Sequence, residues 1–230
     1  PLWSRGLGDV YKRQAPFMTS TPFRHRITGL IAIAILGVSV ASCAGQDQDT
    51  TNTPQTDKDG VAMTAGANQP AEVNGVDLHF LAMMTPHHQQ AVDMSEIILA
   101  AQGTSAATAD LADRIKVGQE EEIDTMVDWA EQWDQHDLME HHSQHIANGM
   151  ITPEQLDQLK TLEGEEADTL FLQLMHSHHA GAVAMTQDQI DNGGYQPLVD
   201  LAQQMIDVQT AEMREMEQLL EAKGESLLTE

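Results

Sequence analysis

Cysteine and positive charge are scarce in this chain of 230 residues. A single cysteine permits neither an intramolecular disulfide nor a zinc site of several thiolates. Only 11 Lys and Arg face 36 Asp and Glu, a formal net charge of −25. This balance excludes the basic face that nucleic-acid-binding proteins need, so no nucleic-acid partner is expected. The abundant side chains that can bind metal are instead 11 His and 13 Met.

The segment before residue 43 has no feature of a folded domain. Residues 1–17 precede Met18, which is a suitable start, and resemble translated adapter sequence, so we interpret them as a non-native leader. Residues 18–42 have a basic start, an apolar run and a small-residue end, which is typical of an export signal. The apolar run is shorter than a confident membrane-spanning helix requires.

The sequence VASC at the end of this signal resembles a bacterial lipobox, in which the cysteine is lipidated and becomes the new N-terminus. We therefore expect a lipoprotein anchored to a membrane through Cys43, in the periplasm or on the outer face of the cell envelope. The alternative is a plain secretory signal followed by an incidental cysteine. Residues 43–72 are rich in Thr, Gln, Asp, Gly, Ala and Pro, which predicts a disordered tether.

An internal repeat dominates the remaining residues, 73–230. Residues 80–94 read FLAMMTPHHQQAVDM and residues 171–185 read FLQLMHSHHAGAVAM, with eight identities at an offset of 91. A second match follows at an offset of 90, pairing Leu111, Gln119, Glu122 and Met126 with Leu201, Gln209, Glu212 and Met216. The domain is therefore predicted to contain two duplicated helical hairpins.

Apolar residues recur at the helical period, and no segment alternates for long enough to predict a sheet. The fold class is therefore predicted to be all-α, an antiparallel four-helix bundle. Gly, Asn and Pro residues that start or stop helices predict the helix boundaries. The predicted helices cover residues 74–102, 105–135, 165–191 and 197–224, with a short helix at 153–163. Pro86 is expected to kink the first helix or to mark a restart.

Two histidines and four methionines are predicted to face the bundle interior on the duplicated motif. Their three- and four-residue spacing places them on one helical stripe per motif. These residues are Met84, His87 and Met94, and Met175, His178 and Met185. The second histidine of each motif, His88 or His179, lies about 100° around its helix and could either join the stripe from the flank or face a neighbouring helix.

The matching helices supply further inward candidates, Glu122 with Met126 and Glu212 with Met216. A buried carboxylate is costly unless it is paired or binds a metal, so these glutamates require an explanation. One explanation is a packing layer of His and Glu with Met as core filler. The other is a metal site in the bundle core, where the glutamates orient the histidines from the second shell of ligands.

Thioether and imidazole ligands favour Cu(I) and, by extension, Ag(I) over hard cations such as Mg²⁺ and Ca²⁺. A di-iron site of the carboxylate type needs a Glu on each helix and two Glu-x-x-His pairs, which this sequence lacks, so iron is the weaker interpretation. The linker between the hairpins offers a secondary candidate site or a solvated loop with adventitious affinity. Its residues are His136, Met139, His141, His142 and His145.

The two motifs, HHQQAVDM from His87 and HHAGAVAM from His178, resemble the DUF305 family over residues 74–224. The resemblance implies a ferritin-like four-helix bundle and, because some members are periplasmic copper-binding proteins, a role in copper or silver handling. No activated nucleophile, phosphate loop or dinucleotide motif is present, so catalysis is not expected. We expect copper sequestration or relay, with a metallochaperone or efflux protein as a further partner; the alternative is a structural or interaction module without a physiological metal.

Overall fold

A computed structural model describes residues 55–56, 62–63, 66, 68–135 and 149–228. Within these ranges, no helix combines the length and apolarity needed to cross a membrane. The helices formed by the described residues are α1 (Gly75–Ala100), α2 (Ala106–Gln132), α3 (Pro153–Thr161), α4 (Gly164–Asn192) and α5 (Gln196–Lys223). The predicted leader at 1–17, the predicted signal at 18–42, the predicted lipidation site Cys43 and the linker histidines all lie outside the described residues.

Local side-chain chemistry determines where these helices begin and end. Asn74 caps α1 in a capping box with Asp77, and Thr152 caps α3 in another with Gln155. At the other end of the bundle domain, α5 stops at Gly224, which has a φ of 75° and so adopts the left-handed conformation that favours glycine. The predicted helix boundaries are therefore confirmed, and each lies within three residues of the observed one.

Proline at position 86 does not divide the first helix. α1 is continuous from Gly75 to Ala100, with Pro86 inside it. A restart at this position, which the sequence left open, is therefore not observed. The equivalent residue of the second repeat is Ser177, inside the equally continuous α4.

The helices form two antiparallel hairpins, α1 with α2 and α4 with α5, as the duplication predicts. The hairpins meet mainly where α1 packs along α4, whereas α2 and α5 approach each other only over a short length. Short α3 packs against α1 and α4. The all-α bundle prediction is confirmed, and the duplicated histidine motifs lie on the two helices that join the hairpins.

The region predicted as a disordered tether has structure where it is described. Strands β1 (Gln55–Thr56) and β2 (Ala62–Met63) form an antiparallel pair. Further along, Gly66 packs so closely on the Trp133 carbonyl that a Cβ atom would clash with it. Gln69 Oε1 accepts a hydrogen bond of 3.1 Å from Gln135 Nε2. Backbone packing and amide pairing thus place Gly66 and Gln69 against the end of α2.

A buried aspartate of α1 holds the turn of the other hairpin. The Asp77 side chain is fully buried and accepts hydrogen bonds from the backbone N–H groups of Gly194 and Tyr195 at 3.0 and 3.2 Å. It also accepts from Gln189 Nε2 at 2.6 Å and from the Asn74 N–H at 2.8 Å. Several donors therefore compensate the cost of burying this carboxylate.

Asp168 of α4 makes the reciprocal contact. It stands 91 residues after Asp77, is 1% exposed, and accepts hydrogen bonds from the Ser105 N–H at 3.2 Å and from Lys223 Nζ at 3.0 Å. Ser105 caps α2 just as Tyr195 begins α5. Each hairpin thus supplies an aspartate that organises the turn of its partner, which ties the two repeats into one folding unit.

Replacing Asp77 with alanine should lower the free energy of unfolding by about 3 kcal/mol, because the buried Gln189 amide and the backbone N–H groups of Gly194 and Tyr195 lose their acceptor. Urea denaturation followed by circular dichroism measures the loss. Asp113→Ala, at an exposed position on α2, is the matched control and should stay within about 0.5 kcal/mol of the parent. Equal stability of the two variants would contradict this stabilising role of Asp77.

Candidate metal centre

The described core contains two separate apolar clusters, each with methionines from both hairpins. The first Met cluster contains Met84, Met126 and Met205, with half-buried Met185 packed against it. The second Met cluster contains Met94, Met175 and Met216. Both therefore place thioether sulfur in a desolvated setting, where a soft cation is favoured.

The antiparallel course of α1 and α4 explains this division. His87 lies between Met84 and Met94 on α1, and His178 lies between Met175 and Met185 on α4. Running the helices in opposite directions brings the early Met of one motif beside the late Met of the other. The histidines consequently occupy the level between the two Met clusters.

The inward histidines of the two motifs meet at this level. The imidazole rings of His87 and His178 have centroids 3.7 Å apart and planes tilted by 33°. Both side chains are fully buried. The two hairpins therefore contribute one imidazole each to a shared histidine pair at the contact between α1 and α4.

The second histidines of the motifs are also buried, and each one faces the other helix of its own hairpin. His88 Nε2 lies 2.8 Å from Glu122 Oε2, and His179 Nε2 lies 2.8 Å from Glu212 Oε2. The Glu212 side chain is 10% exposed, whereas that of Glu122 is 19% exposed and only half-buried. The glutamates thus contact the second histidine of each motif, which resolves the position that the sequence left open.

These carboxylates have a definite effect on the histidines they contact. A carboxylate at Nε2 favours the tautomer with its proton on Nε2, which leaves the Nδ1 lone pair available. Across the described residues, Nδ1 of His88 and Nδ1 of His179 are buried and have no hydrogen-bond partner. Both rings are therefore oriented by a fixed anion and keep one unused acceptor.

His178 is the most unusual side chain of the layer. It is fully buried, and neither Nδ1 nor Nε2 has a hydrogen-bond partner within the part of the chain that the structure describes. Burial lowers the pKa of His178 well below its usual range, and the neighbouring imidazoles of His87, His179 and His88 lower it further. A small opposing effect comes from the His87 backbone, which is not in hydrogen-bond geometry with either nitrogen. The ring is consequently neutral at pH 7 and can act as a ligand.

Two glutamines complete the polar interior on the outer helices. Gln119 and Gln209 are 4% and 3% exposed, and within the described ranges the Oε1 atom of each is buried without a partner. They stand one turn before Glu122 and Glu212 on α2 and α5. The second match, at an offset of 90, paired these two positions, but it gave no reason to expect unused carbonyl oxygens there.

Carboxylates and imidazoles alone do not form a complete metal site in the described residues. No three His, Cys, Asp or Glu side chains among them converge closely enough to hold an ion. A centre at this level would have to combine the paired imidazoles with sulfur from the adjoining Met clusters. Neighbouring Ala91 and Ala182 are fully buried and small.

The described residues that follow the linker lie against both motifs. Gln90 exchanges two hydrogen bonds with the Ile151 backbone, at 2.9 and 2.7 Å. Gly149, with a φ of 78°, packs so tightly on Ser177 and Gly181 that a side chain there would clash. The chain thus returns to the bundle beside the adjacent histidines of each motif.

Comparison with known proteins gives a consistent family relationship. The model of the family described as "Domain of unknown function (DUF305)" matches residues 77–220. The crystal structure of a DUF305 protein from Streptomyces coelicolor, described as a candidate secreted protein, is 28% identical with a TM-score of 0.61, covering 70% of this chain and 100% of that one. Among curated proteins, no match is found.

The solved structures of CopM are also similar. Its Cu(II)-bound and Cu(I)-bound forms are 31% identical to this chain, with TM-scores of 0.56 and 0.54. A silver-bound form is 32% identical with a TM-score of 0.52. Each comparison covers 64% of this chain and 96% or 97% of CopM.

The buried neutral His178 predicts a pH-dependent stability of the metal-free chain. Below the usual imidazole pKa of about 6.5, the unfolded chain binds a proton that the folded chain excludes, so stability falls as pH falls. One such group contributes a slope of up to about 1.4 kcal/mol per pH unit. Urea denaturation in the presence of a metal chelator, between pH 6.5 and 5.5, measures how the free energy of unfolding changes with pH. This change should be smaller for His178→Gln than for the parent. Equal slopes would contradict this assignment.

Proposed function

Since this chain belongs to the DUF305 family, we propose that it binds Cu(I) or Ag(I) in the middle of its helical bundle and sequesters or relays the ion. The metal is cargo in this proposal, and the chain catalyses no reaction. The proposed ligands are the histidines and methionines of the two motifs. They are Met84, His87, His88 and Met94 of α1, and Met175, His178, His179 and Met185 of α4.

The observation that carries this proposal is the environment of His178. A neutral imidazole has one donor and one acceptor, and leaving buried polar atoms unpaired costs about 1–3 kcal/mol each. His178 has both nitrogens in this condition among the described residues, directly beside His87. A cation that coordinates an imidazole nitrogen would offset this cost, which supports a ligand role for the pair.

Ligand softness supports a monovalent ion of the copper group. The layer adjoins thioethers on both sides, from Met84 and Met185 in one cluster and from Met94 and Met175 in the other. Thioether with imidazole suits Cu(I), whereas oxygen-rich sites suit Mg²⁺ or Ca²⁺. CopM, with its Cu(I)-bound and Ag-bound forms, is similar to this chain. Iron remains the weaker candidate because the di-iron ligand pattern is absent from the sequence.

Glu122 and Glu212 have an indirect role in this proposal. Each would hold the ring of His88 or His179 with Nδ1 facing the ion, as carboxylates do behind many metal-bound histidines. Met126 and Met216 lie in the two Met clusters and supply additional sulfur near the site. The linker residues His136, Met139, His141, His142 and His145 remain a proposed secondary site.

The setting proposed for this activity is the bacterial cell envelope. The export signal at residues 18–42 supports it, and one similar protein is described as a candidate secreted protein. A strongly acidic chain raises the local concentration of cations, which suits a metal-binding role. A lipid on Cys43 would hold the domain at a membrane, and an unidentified metallochaperone or efflux protein would exchange metal with it.

A structural or interaction module without a physiological metal is the second candidate. The two His–Glu pairs at 2.8 Å favour it, because such pairs can fix helix register without any ion. It does not account for His178, whose nitrogens take no part in those pairs. Metal binding therefore separates the two candidates.

The double variant His87→Gln with His178→Gln should lose at least about 100-fold in Cu(I) affinity, since both central imidazoles are removed. Competition with a chromophoric Cu(I) chelator under reducing conditions measures the affinity, and circular dichroism checks folding. The matched control is His141→Gln with His142→Gln and His145→Gln, which should keep the central site. A folded double variant with parental affinity would refute the central site, and loss of affinity in the control alone would assign binding to the linker.

Anchoring is tested separately. A chain expressed from Met18 should partition into the membrane fraction, and Cys43→Ala should release it, because the thiol that carries the lipid is gone. Fractionation with immunodetection measures the partition. Membrane association that persists in Cys43→Ala would contradict a lipid anchor at this residue.

A further inference from the structure

A third His–carboxylate pair lies outside the predicted site. His176 Nε2 is 3.1 Å from Glu217 Oε1. The pair is near solvent, since the His176 side chain is 17% exposed and that of Glu217 is 53% exposed. His176 belongs to neither motif stripe, and neither the fold nor the proposed centre requires it.

This outer pair adjoins the inner pair of the same hairpin. His176 precedes His179 by three residues on α4, and Glu217 follows Glu212 by five residues on α5. Because the two helices are antiparallel, the two His–Glu pairs lie one after the other along the contact between α4 and α5. Side-chain exposure falls from the outer pair to the inner pair, from 17% to 0% for the histidines and from 53% to 10% for the glutamates.

The inner pair adjoins the contact between His178 and His87. The ring centroid of His179 is 6.4 Å from that of His178, which is 3.7 Å from that of His87. On a helix, side chains three residues apart have Cβ atoms about 5–6 Å apart. The steps from His176 inward are therefore no longer than a side-chain rearrangement can span.

At the equivalent positions, the first hairpin carries Thr85 and Val127 instead of His176 and Glu217. Thr85 occupies the position equivalent to His176, and its Oγ1 lies 3.9 Å from the Met126 sulfur. Sequence duplication thus retained the inner His–Glu pair in both repeats and the outer pair, among the described residues, only on α4 and α5.

We propose that His176 and Glu217 form the entry site at which a soft monovalent cation first binds, before passing through His179 to the pair of His178 and His87. The inference rests on the proposed function. Each transfer is a ligand exchange in which one metal–nitrogen bond forms as the previous one breaks, with no change of oxidation state. The carboxylate of Glu217 attracts the cation and orients the receiving imidazole.

An entry residue has a kinetic signature that a final ligand lacks. If His176 acts only on the route, its loss slows binding and release by the same factor and leaves the equilibrium Kd unchanged, because both directions cross the same barrier. If His176 is a ligand of the bound ion, its loss raises Kd. If it is a surface residue without a role, none of these quantities changes.

The experiment uses the full chain with Ag(I) as the probe and the variant His176→Thr, which introduces the residue of the first repeat. Stopped-flow fluorescence follows binding, since Trp129 and Trp133 pack at the first Met cluster. Transfer to excess chelator gives the release rate. Both rates should fall about tenfold, which corresponds to about 1.4 kcal/mol in the barrier, with Kd unchanged. Glu221→Gln, at an exposed position on α5, is the control and should bind at the parental rate.

Parental rates in His176→Thr would overturn the inference while leaving the central site intact, as would a raised Kd with an unchanged binding rate. Failure of the parent chain to bind Ag(I) would overturn the proposed function itself, and the entry site with it. Glu217→Gln gives an independent reading, because it keeps His176 but removes the charge. It should slow both rates less than His176→Thr does.

Discussion

Two buried imidazoles, His87 from one hairpin and His178 from the other, are in contact at the junction of the hairpins and determine how the core around them is packed. Polar rings in an apolar core must be compensated, and they interrupt what would otherwise be one continuous hydrophobic core. The core is accordingly divided into two Met-bearing clusters on either side of the layer. Glu122 and Glu212 compensate the adjacent rings of His88 and His179. Among the described residues, the two nitrogens of His178 have no hydrogen-bond partner, and a soft cation would satisfy one of them.

The structure maintains this layer through reciprocity between the repeats. Asp77 and Asp168 each organise the turn of the opposite hairpin, so neither hairpin has a complete set of hydrogen bonds by itself. These contacts lie at the two ends of the α1 and α4 pair, and the histidine layer lies between them. A rigid frame at both ends keeps the rings at a fixed distance in the middle, as a preorganised ligand set requires.

Much of this arrangement could be predicted from the sequence, because duplication and helical period are local signals. The repeated HHxxAVxM motif predicted the hairpins, the helix that carries each candidate ligand, and the burial of His87 and His178. The sequence could not show which helix His88 would face, because a residue 100° off the stripe can turn either way. The hydrogen bonds of Asp77 and Asp168 to the turn of the opposite hairpin were also missed, although the two residues share the offset of 91. Their partners there are backbone N–H groups, which no side-chain pattern reveals. The order around Gly66 and Gln69 depends on tertiary contacts with α2, which composition does not encode.

In the proposed site, imidazole nitrogen and thioether sulfur from both repeats bind one soft cation together. X-ray absorption spectroscopy of the chain loaded with one equivalent of Cu(I) can identify these ligands, since nitrogen, oxygen and sulfur neighbours differ in distance and scattering. We expect a copper environment that contains both imidazole nitrogen and sulfur, and a sulfur contribution that falls when Met84 and Met175 are replaced by leucine. A spectrum with oxygen or nitrogen neighbours alone would contradict the proposed site.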